Sequence, residues 1–241
     1  MISIIIPTLL EEKIIESTLS AIKSKLKIPY EIIISDGGSK DKTIEKAQKY
    51  ADKIVIYSGS KRQTIAQGRN DGAKMAQGDF FVFLDADCSF KDPNIFFEKA
   101  LADFDKFPDL VGLLCPIRVL PEFETRTDKL FWNLMNAFMK FKNNVLHKGD
   151  AAGGEFQMVR RNAFFAINGY REDLVTREDR DLFMRLSKVG QTRYDPELVL
   201  FHTGRRSHQI GWRSQIAYFL KNTIFFHLTG RTWTKECKPV R

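Results

Sequence analysis

Two carboxylates one residue apart, Asp85 and Asp87, follow the apolar run Phe80-Phe81-Val82-Phe83-Leu84. On an extended segment, residues two apart point the same way, so both side chains would address one ligand. Paired hard oxygens suit Mg²⁺ or Mn²⁺, which take further ligands from substrate phosphates. Such a cation neutralises a departing diphosphate as a Lewis acid. The plain alternative is a solvated aspartate pair in a strand-to-helix turn. Asp36 stands between Ile32-Ile33-Ile34-Ser35 and Gly37-Gly38, where a strand becomes a tight turn. There it offers an acceptor to a nucleobase, while Ser39 and Asp41 read as caps of the next helix. Arg69 can reach donor phosphates or pair with an aspartate of the same rim.

The elements that must position these groups alternate. Ile2–Ile6 is a nearly continuous apolar run, as in a strand covered on both faces. The segment 11–26 places Ile15, Leu19, Ile22 and Leu26 on one helical stripe. Strands over 31–35 and 53–57 and helices over 43–51 and 64–76 follow. Gly78 is expected to end the last of these helices in the left-handed conformation, and a strand over 80–84 comes next. This order predicts an α/β fold with a mostly parallel central sheet flanked by helices. Ligands of such sheets bind outside the carboxyl ends of the strands, where Pro7-Thr8, Asp36 and Asp85-Ala86-Asp87 fall. Beyond Asp109 the alternation loosens. A strand over 111–115, a helix over 130–141, a helix over 179–188 and a strand over 192–201 are expected there.

The 241 residues, 43% hydrophobic and 28% charged, suit one sizeable domain with a modest appendage. Cys88, Cys115 and Cys237 form neither a disulfide framework nor a paired zinc motif, which favours a reducing compartment. No basic n-region with a following apolar h-region opens the sequence, and no apolar run reaches the ~20 residues of a spanning helix. The expected location is cytoplasmic, with the cytoplasmic face of a membrane as the place of any association. Nearly all of the net charge of +8 lies beyond Val199, where eight basic residues face the single acid Glu236. Such asymmetry implies a local anionic partner.

Three motifs in order, IIIPTLLEE, SDGGSKDKT and RNDGAKMAQGDFFVFLDADC, resemble the inverting family 2 glycosyltransferases of GT-A fold. VRRNAFFAINGYRED and TREDRDLFMRL extend the resemblance, which runs from Met1 to about His202. It implies a nucleotide-sugar donor contacted by Pro7, Thr8, Glu11, Asp36, Arg69, Asp85 and Ala86. It implies a Mg²⁺ or Mn²⁺ ion at Asp85 and Asp87, with His202 as a further metal contact. Asp179, within Glu178-Asp179, matches the general base that deprotonates the acceptor; Glu178 and Asp181 compete for that role, and acids at a helix start also offset the macrodipole. The chain departs from the family at Leu10, where Asn is frequent, and at Gly37, where a second acid is frequent. The expected division is a catalytic domain over 1–204 and a basic, aromatic helical extension over 205–241.

Within that extension Ile216, Phe219, Leu220 and Ile224 fall at helical spacing, with Trp212 and Trp233 near Arg213, Lys221 and Arg231. Apolar bulk, interfacial Trp and flanking cations suit a helix in an anionic membrane surface, and with it a lipid-linked acceptor. A helix packed on the domain explains the same residues, and Arg205-Arg206 could contact donor phosphates instead. Two other classes are weighed. Asp85-Ala86-Asp87-Cys88-Ser89 loosely resembles the signature of haloacid-dehalogenase-type phosphatases, with Asp85 as nucleophile, but Asp36 and Glu178-Asp179 are then unexplained. A protein that merely binds membrane or nucleic acid through its basic tail gives no reason for acids at three strand ends, so no nucleic acid is expected as partner.

Overall fold

In this computed structural model, which describes residues 1–236, the β-branched runs form the centre of a seven-stranded sheet. Its order is β3-β2-β1-β4-β8-β6-β9. β1 (Ile2–Thr8) pairs in parallel with β2 (Tyr30–Asp36) and β4 (Phe80–Leu84), and β2 with β3 (Lys53–Ile56). β6 (Leu110–Leu114) and β9 (Gln191–Tyr194) are also parallel, while β8 (Phe156–Arg160) runs antiparallel between β4 and β6. Ile2, Ile4, Ile5 and Ile6 are fully buried, because side chains on both faces of β1 meet helices.

One layer contains α1 (Ile15–Lys25), α2 (Thr43–Ala47) and α4 (Pro93–Lys106), whose core unites Leu19, Ile22, Ile34, Val82 and Phe97. The other contains α3 (Ile65–Met75), α6 (Arg161–Ala166) and α7 (Glu178–Leu186), meeting Ile5, Ile33, Phe81 and Phe83. A small second sheet, β5-β10-β7, joins Cys88–Phe90, Leu200–His202 and Ile117–Val119. The remaining helices are α5 (Arg126–Asn144), α8 (Arg205–Ile210) and α9 (Trp212–Thr229). Cys237, Lys238 and Arg241 lie outside the described residues.

The fold is the expected mixed α/β sheet with helices at its C-terminal end. Several expected elements are corrected. The 11–26 helix starts only at Ile15, after turns over Glu12–Ile14. The single strand over 192–201 divides into β9 and β10, which belong to different sheets. Gly78 is not left-handed. It is needed because a Cβ there would lie 2.8 Å from the Ser3 nitrogen and 2.9 Å from the Ile2 carbonyl carbon. β5, β7, β8 and α4 were not anticipated, although Asp92 caps α4 through the Ile95 N–H and Pro93 opens it.

Candidate active site

The parallel register sets Thr8 beside Asp36 at the strand ends. Asp36 is fully buried, and its carboxylate accepts from the Thr8 hydroxyl (3.0 Å), the Ser39 hydroxyl (2.6 Å) and the Gly38 and Ser39 N–H groups (2.9 and 2.7 Å). Its oxygens therefore build the 37–39 turn. Ser39 does not cap α2; it also accepts from the Leu10 N–H, tying this turn to the one after β1. Asp41 accepts from the Thr43 and Glu12 N–H groups and the Thr43 hydroxyl, but α2 begins after Lys42 without a side-chain cap, so Asp41 does not cap it as expected. Leu10 has φ 58°, a left-handed conformation that Asn tolerates better than a branched apolar residue. The departure at this position thus places local strain beside Glu11.

Asp85 and Asp87 come together differently from the extended alternation expected of them. β4 stops at Leu84, and Ala86-Asp87 form a turn closed by the Cys88 N–H on the Asp85 carbonyl at 3.2 Å. Ala86 is buried, and its carbonyl accepts from Thr18. Burial pushes the Asp85 carboxyl up to about 6; the Arg69 cation opposes that rise and the Asp87 charge reinforces it.

Arg69 is 1% exposed and links the rim to α7. Its guanidinium donates to Asp85 (3.2 Å), Glu178 (3.1 Å) and the Gly154 carbonyl (2.7 Å). Burial and the neighbouring Asp179 charge push Glu178 up to about 7, against the pull of Arg69. Asp179 accepts from the Gly153 N–H at 2.9 Å. Asp85 at the strand end and Glu178 on α7 thus share one guanidinium, whereas Asp181 turns aside to Arg185 at 2.6 Å.

On the other flank, Asp87 accepts from Thr203 and lies 3.3 Å from the Arg205 Nε. Arg205 also forms a bidentate pair with Glu11 at 2.7 and 2.8 Å, so the residues after β10 close over the aspartates. His202 ends β10 with its Nδ1 4.0 Å from Glu155. Burial holds its imidazole below the usual range, in the neutral form that a metal requires. Its Nε2 is buried without a hydrogen-bond partner, as is Glu155 Oε2. Burial and then Asp85 push Glu155 up to about 8.

Glu155 was missed in the sequence because β8, which it directly precedes, was not expected. The available signal was an acid following Gly153-Gly154. Among the described residues no three His, Cys, Asp or Glu side chains form a ready-made metal cage. Two orphaned buried acceptors beside paired aspartates nevertheless fit a hard cation completed by substrate oxygens. Pro7 lies in β1 opposite Ser35 and has no other part in this cluster. A cavity of about 190 Å³ adjoins Asp87 on the α1 side, lined by Ile14, Thr18, Cys88, Phe90 and Thr203. Neither Asp36 nor Arg69 lines it, and it is smaller than the ~300–1,000 Å³ of ordinary ligand pockets.

The model of the family described as Glycosyl transferase family 2 matches residues 3–166, and the chain belongs to that family. It is therefore an enzyme of the glycosyltransferase class. A dolichyl N-acetyl-alpha-D-glucosaminyl phosphate 3-beta-D-2,3-diacetamido-2,3-dideoxy-beta-D-glucuronosyltransferase of Methanococcus voltae is 27% identical, covering 93% of this chain and 71% of its own. The dolichol-phosphate mannosyltransferase of Pyrococcus furiosus is 37% identical, over only 36% of this chain and 25% of its own. Among solved structures, the mannosyltransferase PcManGT from Pyrobaculum calidifontis in complex with GDP-Man and Mn²⁺ superposes with a TM-score of 0.75 at 17% identity. That likeness covers 94% of this chain and 64% of the other. S. aureus TarS 1-349 in complex with UDP-GlcNAc gives 0.62 at 18% identity, covering 83% and 57%. These likenesses establish the GT-A fold, and the chain spans less than two thirds of either solved neighbour.

Proposed function

We propose that the chain transfers a sugar with inversion from a nucleotide-diphosphate sugar to a lipid-linked acceptor, in a metal-dependent reaction on residues 1–204. The observation that carries this reading is the Arg69 bridge, which sets Asp85 and Glu178-Asp179 around one cation. Relatives named for dolichyl phosphate, and a neighbour holding GDP-Man with Mn²⁺, support the donor, acceptor and metal classes. A bound Mg²⁺ or Mn²⁺ would neutralise the diphosphate as a Lewis acid, held by Asp85, Asp87 and His202, with Glu155 adjoining.

This chain's own residues supply the rest. Thr8, Glu11 and the turn built by Asp36 form the nucleoside floor. Arg205, already drawn toward Asp87 and Glu11, offers positive charge to the leaving diphosphate. Asp179 takes the proton of an acceptor hydroxyl as that oxygen bonds to the anomeric carbon and the diphosphate departs with its electron pair. An acceptor phosphate arrives already anionic, and Asp179 then has no proton to remove. A phospho-aspartate phosphatase would leave Glu178-Asp179 and the Arg69 link between Asp85 and Glu178 without a role, and is disfavoured.

The extension from 205 onward would rest on the cytoplasmic face of an anionic membrane. No described helix is long and apolar enough to cross one.

A thermal-shift screen of nucleoside diphosphates and their sugars, with and without Mn²⁺, tests the reading. A ligand at a hundred times its Kd stabilises by about 2.7 kcal/mol. The absence of any shift that requires both Mn²⁺ and a diphosphate would refute it.

A further inference from the structure

Exposed large hydrophobic residues concentrate on two helices. On α5 they are Leu130 (62% exposed), Leu134 (65%), Phe138 and Phe141, with Val145 just beyond. On α9 they are Ile216, Leu220 (57% exposed), Ile224 and Leu228. At about 100° per residue, the α5 set spans roughly a quarter of the helix circumference and the α9 set roughly a third. These are continuous ladders, unlike the singly scattered apolar residues of ordinary surfaces.

The two ladders face the same way. Phe131 of α5 packs against Trp212 (centroids 4.2 Å apart) and Phe219 (6.4 Å) near the start of α9. His227, near the end of α9, and Lys142, near the end of α5, interact electrostatically, while Trp212 at the start of α9 donates to Asp128 in the first turn of α5. Starts lie near starts and ends near ends, so the helices run in the same general direction. On α5, Trp132 and Met139 face the domain and Phe131 faces α9; the ladder lies on the far side of Phe131 from the core. On α9, Gln215 and Phe226 are buried, Asn222 is buried against Thr234, Trp212 and Phe219 face α5, and the ladder again lies beyond them. With parallel helices both offsets point outward, so the ladders share one surface.

Charge identifies the occupant. α9 contains no acid. The one acid of α5, Asp128, is fully buried, and its carboxylate accepts from the Thr125 N–H and hydroxyl, His208 and Trp212. Arg126, Lys129 and Lys140 on α5 and Arg213 and Lys221 on α9 are exposed. The face is also joined to the site: Arg177, immediately before Glu178-Asp179, donates to the Phe219 carbonyl and lies 5.1 Å over its ring.

We propose that α5 and α9 together form a monolayer-docking platform for an anionic membrane, which delivers a lipid-linked acceptor to Asp179 alongside Arg177. The proposal rests on the lipid-linked acceptor reading and adds the surface that recognises the bilayer itself. Both helices lie in the plane of the headgroups, with the apolar ladders among the acyl chains and the cations at the phosphates.

Vesicle co-sedimentation of the full chain tests it, using phosphatidylcholine alone and phosphatidylcholine with phosphatidylglycerol. Leu134→Glu/Leu220→Glu is compared with Asn133→Glu/Ser214→Glu, which makes the same charge change off the ladders; Leu134→Ser/Leu220→Ser removes apolarity without charge. The chain should bind the anionic vesicles about tenfold or more tightly than the neutral ones; the ladder variants should lose about tenfold, and the off-ladder control at most about threefold. Equal loss in control and ladder variants, or no vesicle binding by the unsubstituted chain, overturns the proposal. So does a dimer in solution that the ladder variants dissociate without any vesicle binding. Mn²⁺-dependent nucleoside-diphosphate binding, measured without vesicles, verifies folding of each variant. It also separates failure of this platform from failure of the transferase reading.

Discussion

Replacing Arg69 with Met removes the guanidinium that joins the two acidic groups and keeps most of the apolar stem. Arg69 is 1% exposed, the Glu178 side chain 9% and the Asp85 side chain 36%. The three partners do not contribute equally. Water screens the Asp85 pair, so most of the cost lies at Glu178 and at the Gly154 carbonyl, which loses its 2.7 Å donor. Removing one member of a buried ion pair costs about 3–5 kcal/mol, a large share of the ~5–15 kcal/mol that stabilises a domain.

The cost has a pH signature. Burial and Asp179 already raise Glu178 to about 7 while Arg69 opposes them, so losing Arg69 raises it further. An acid with a raised folded-state pKa binds more protons folded than unfolded, so its destabilising effect grows from pH 4.5 up to the folded value and levels off above it. The unsubstituted chain levels off near pH 7 and Arg69→Met at a higher pH, so the two diverge only above about 7. Urea unfolding in EDTA, followed by circular dichroism, should therefore show a larger loss for Arg69→Met at pH 8 than at pH 6. Adding Glu178→Gln to Arg69→Met should recover more than half of the loss at pH 8. A loss below about 1 kcal/mol at pH 8, or no recovery in the double variant, would refute the buried-charge account.

Asp87→Ala should abolish Mn²⁺-dependent diphosphate binding in calorimetry while the circular dichroism spectrum is kept; retained binding would remove Asp87 from the metal site. Asp179→Asn should leave donor affinity unchanged and lower kcat by about 10²–10⁴ for a hydroxyl acceptor, read in single-turnover assays. An equal and small effect on every acceptor would reassign the base. Burial raises the Glu31 carboxyl, but hydrogen bonds from Lys53, Ser3 and Gln77 outweigh it and hold Glu31 below the usual range. Its contribution is therefore present above pH 4.5 and lost as pH falls below that value, so Glu31→Gln should destabilise at pH 7 and converge with the unsubstituted chain under acid unfolding. Gly78→Ala should cost about 1–3 kcal/mol in urea unfolding, because its Cβ would meet the backbone of Ile2 and Ser3.

The first half of the fold was legible because its strands are buried on both faces and its helices carry single apolar stripes. β1, β2, β4 and α3 follow from Ile2–Ile6, Ile32–Ile34, Phe80–Leu84 and the helical segment over 64–76. β8 was not legible. Phe156-Gln157-Met158-Val159 mixes a polar residue into an apolar run, and the buried Gln157 side-chain oxygen finds its partner in the Tyr170 hydroxyl. That partner is defined by tertiary structure alone. Asp85, Asp87 and Glu178-Asp179 could be singled out by type and order. Pairing of Arg69 with a rim aspartate was also legible, and Asp85 is that partner; the reach of the same guanidinium to Glu178 was not, because 109 positions separate the two.

The segment after β10 shows why a site of this kind must be assembled late in the chain. Thr203 and Arg205 hold Asp87, and Arg205 holds Glu11, 194 positions earlier. Three residues on, His208 reaches Asp128 at 2.9 Å, and Trp212 reaches the same carboxylate at 2.8 Å. Asp128 is also the N3 residue of the α5 capping box. One short stretch is therefore fixed at its start by Asp87 and at its end by the cap of α5. Movement of Arg205 toward a bound diphosphate must be absorbed between these anchors. Gly204 at φ 68° and Gly211 at φ 79° bracket α8 and supply backbone freedom at both ends. On the proposed reading, occupancy of the donor site would be felt through this stretch at α5 and α9.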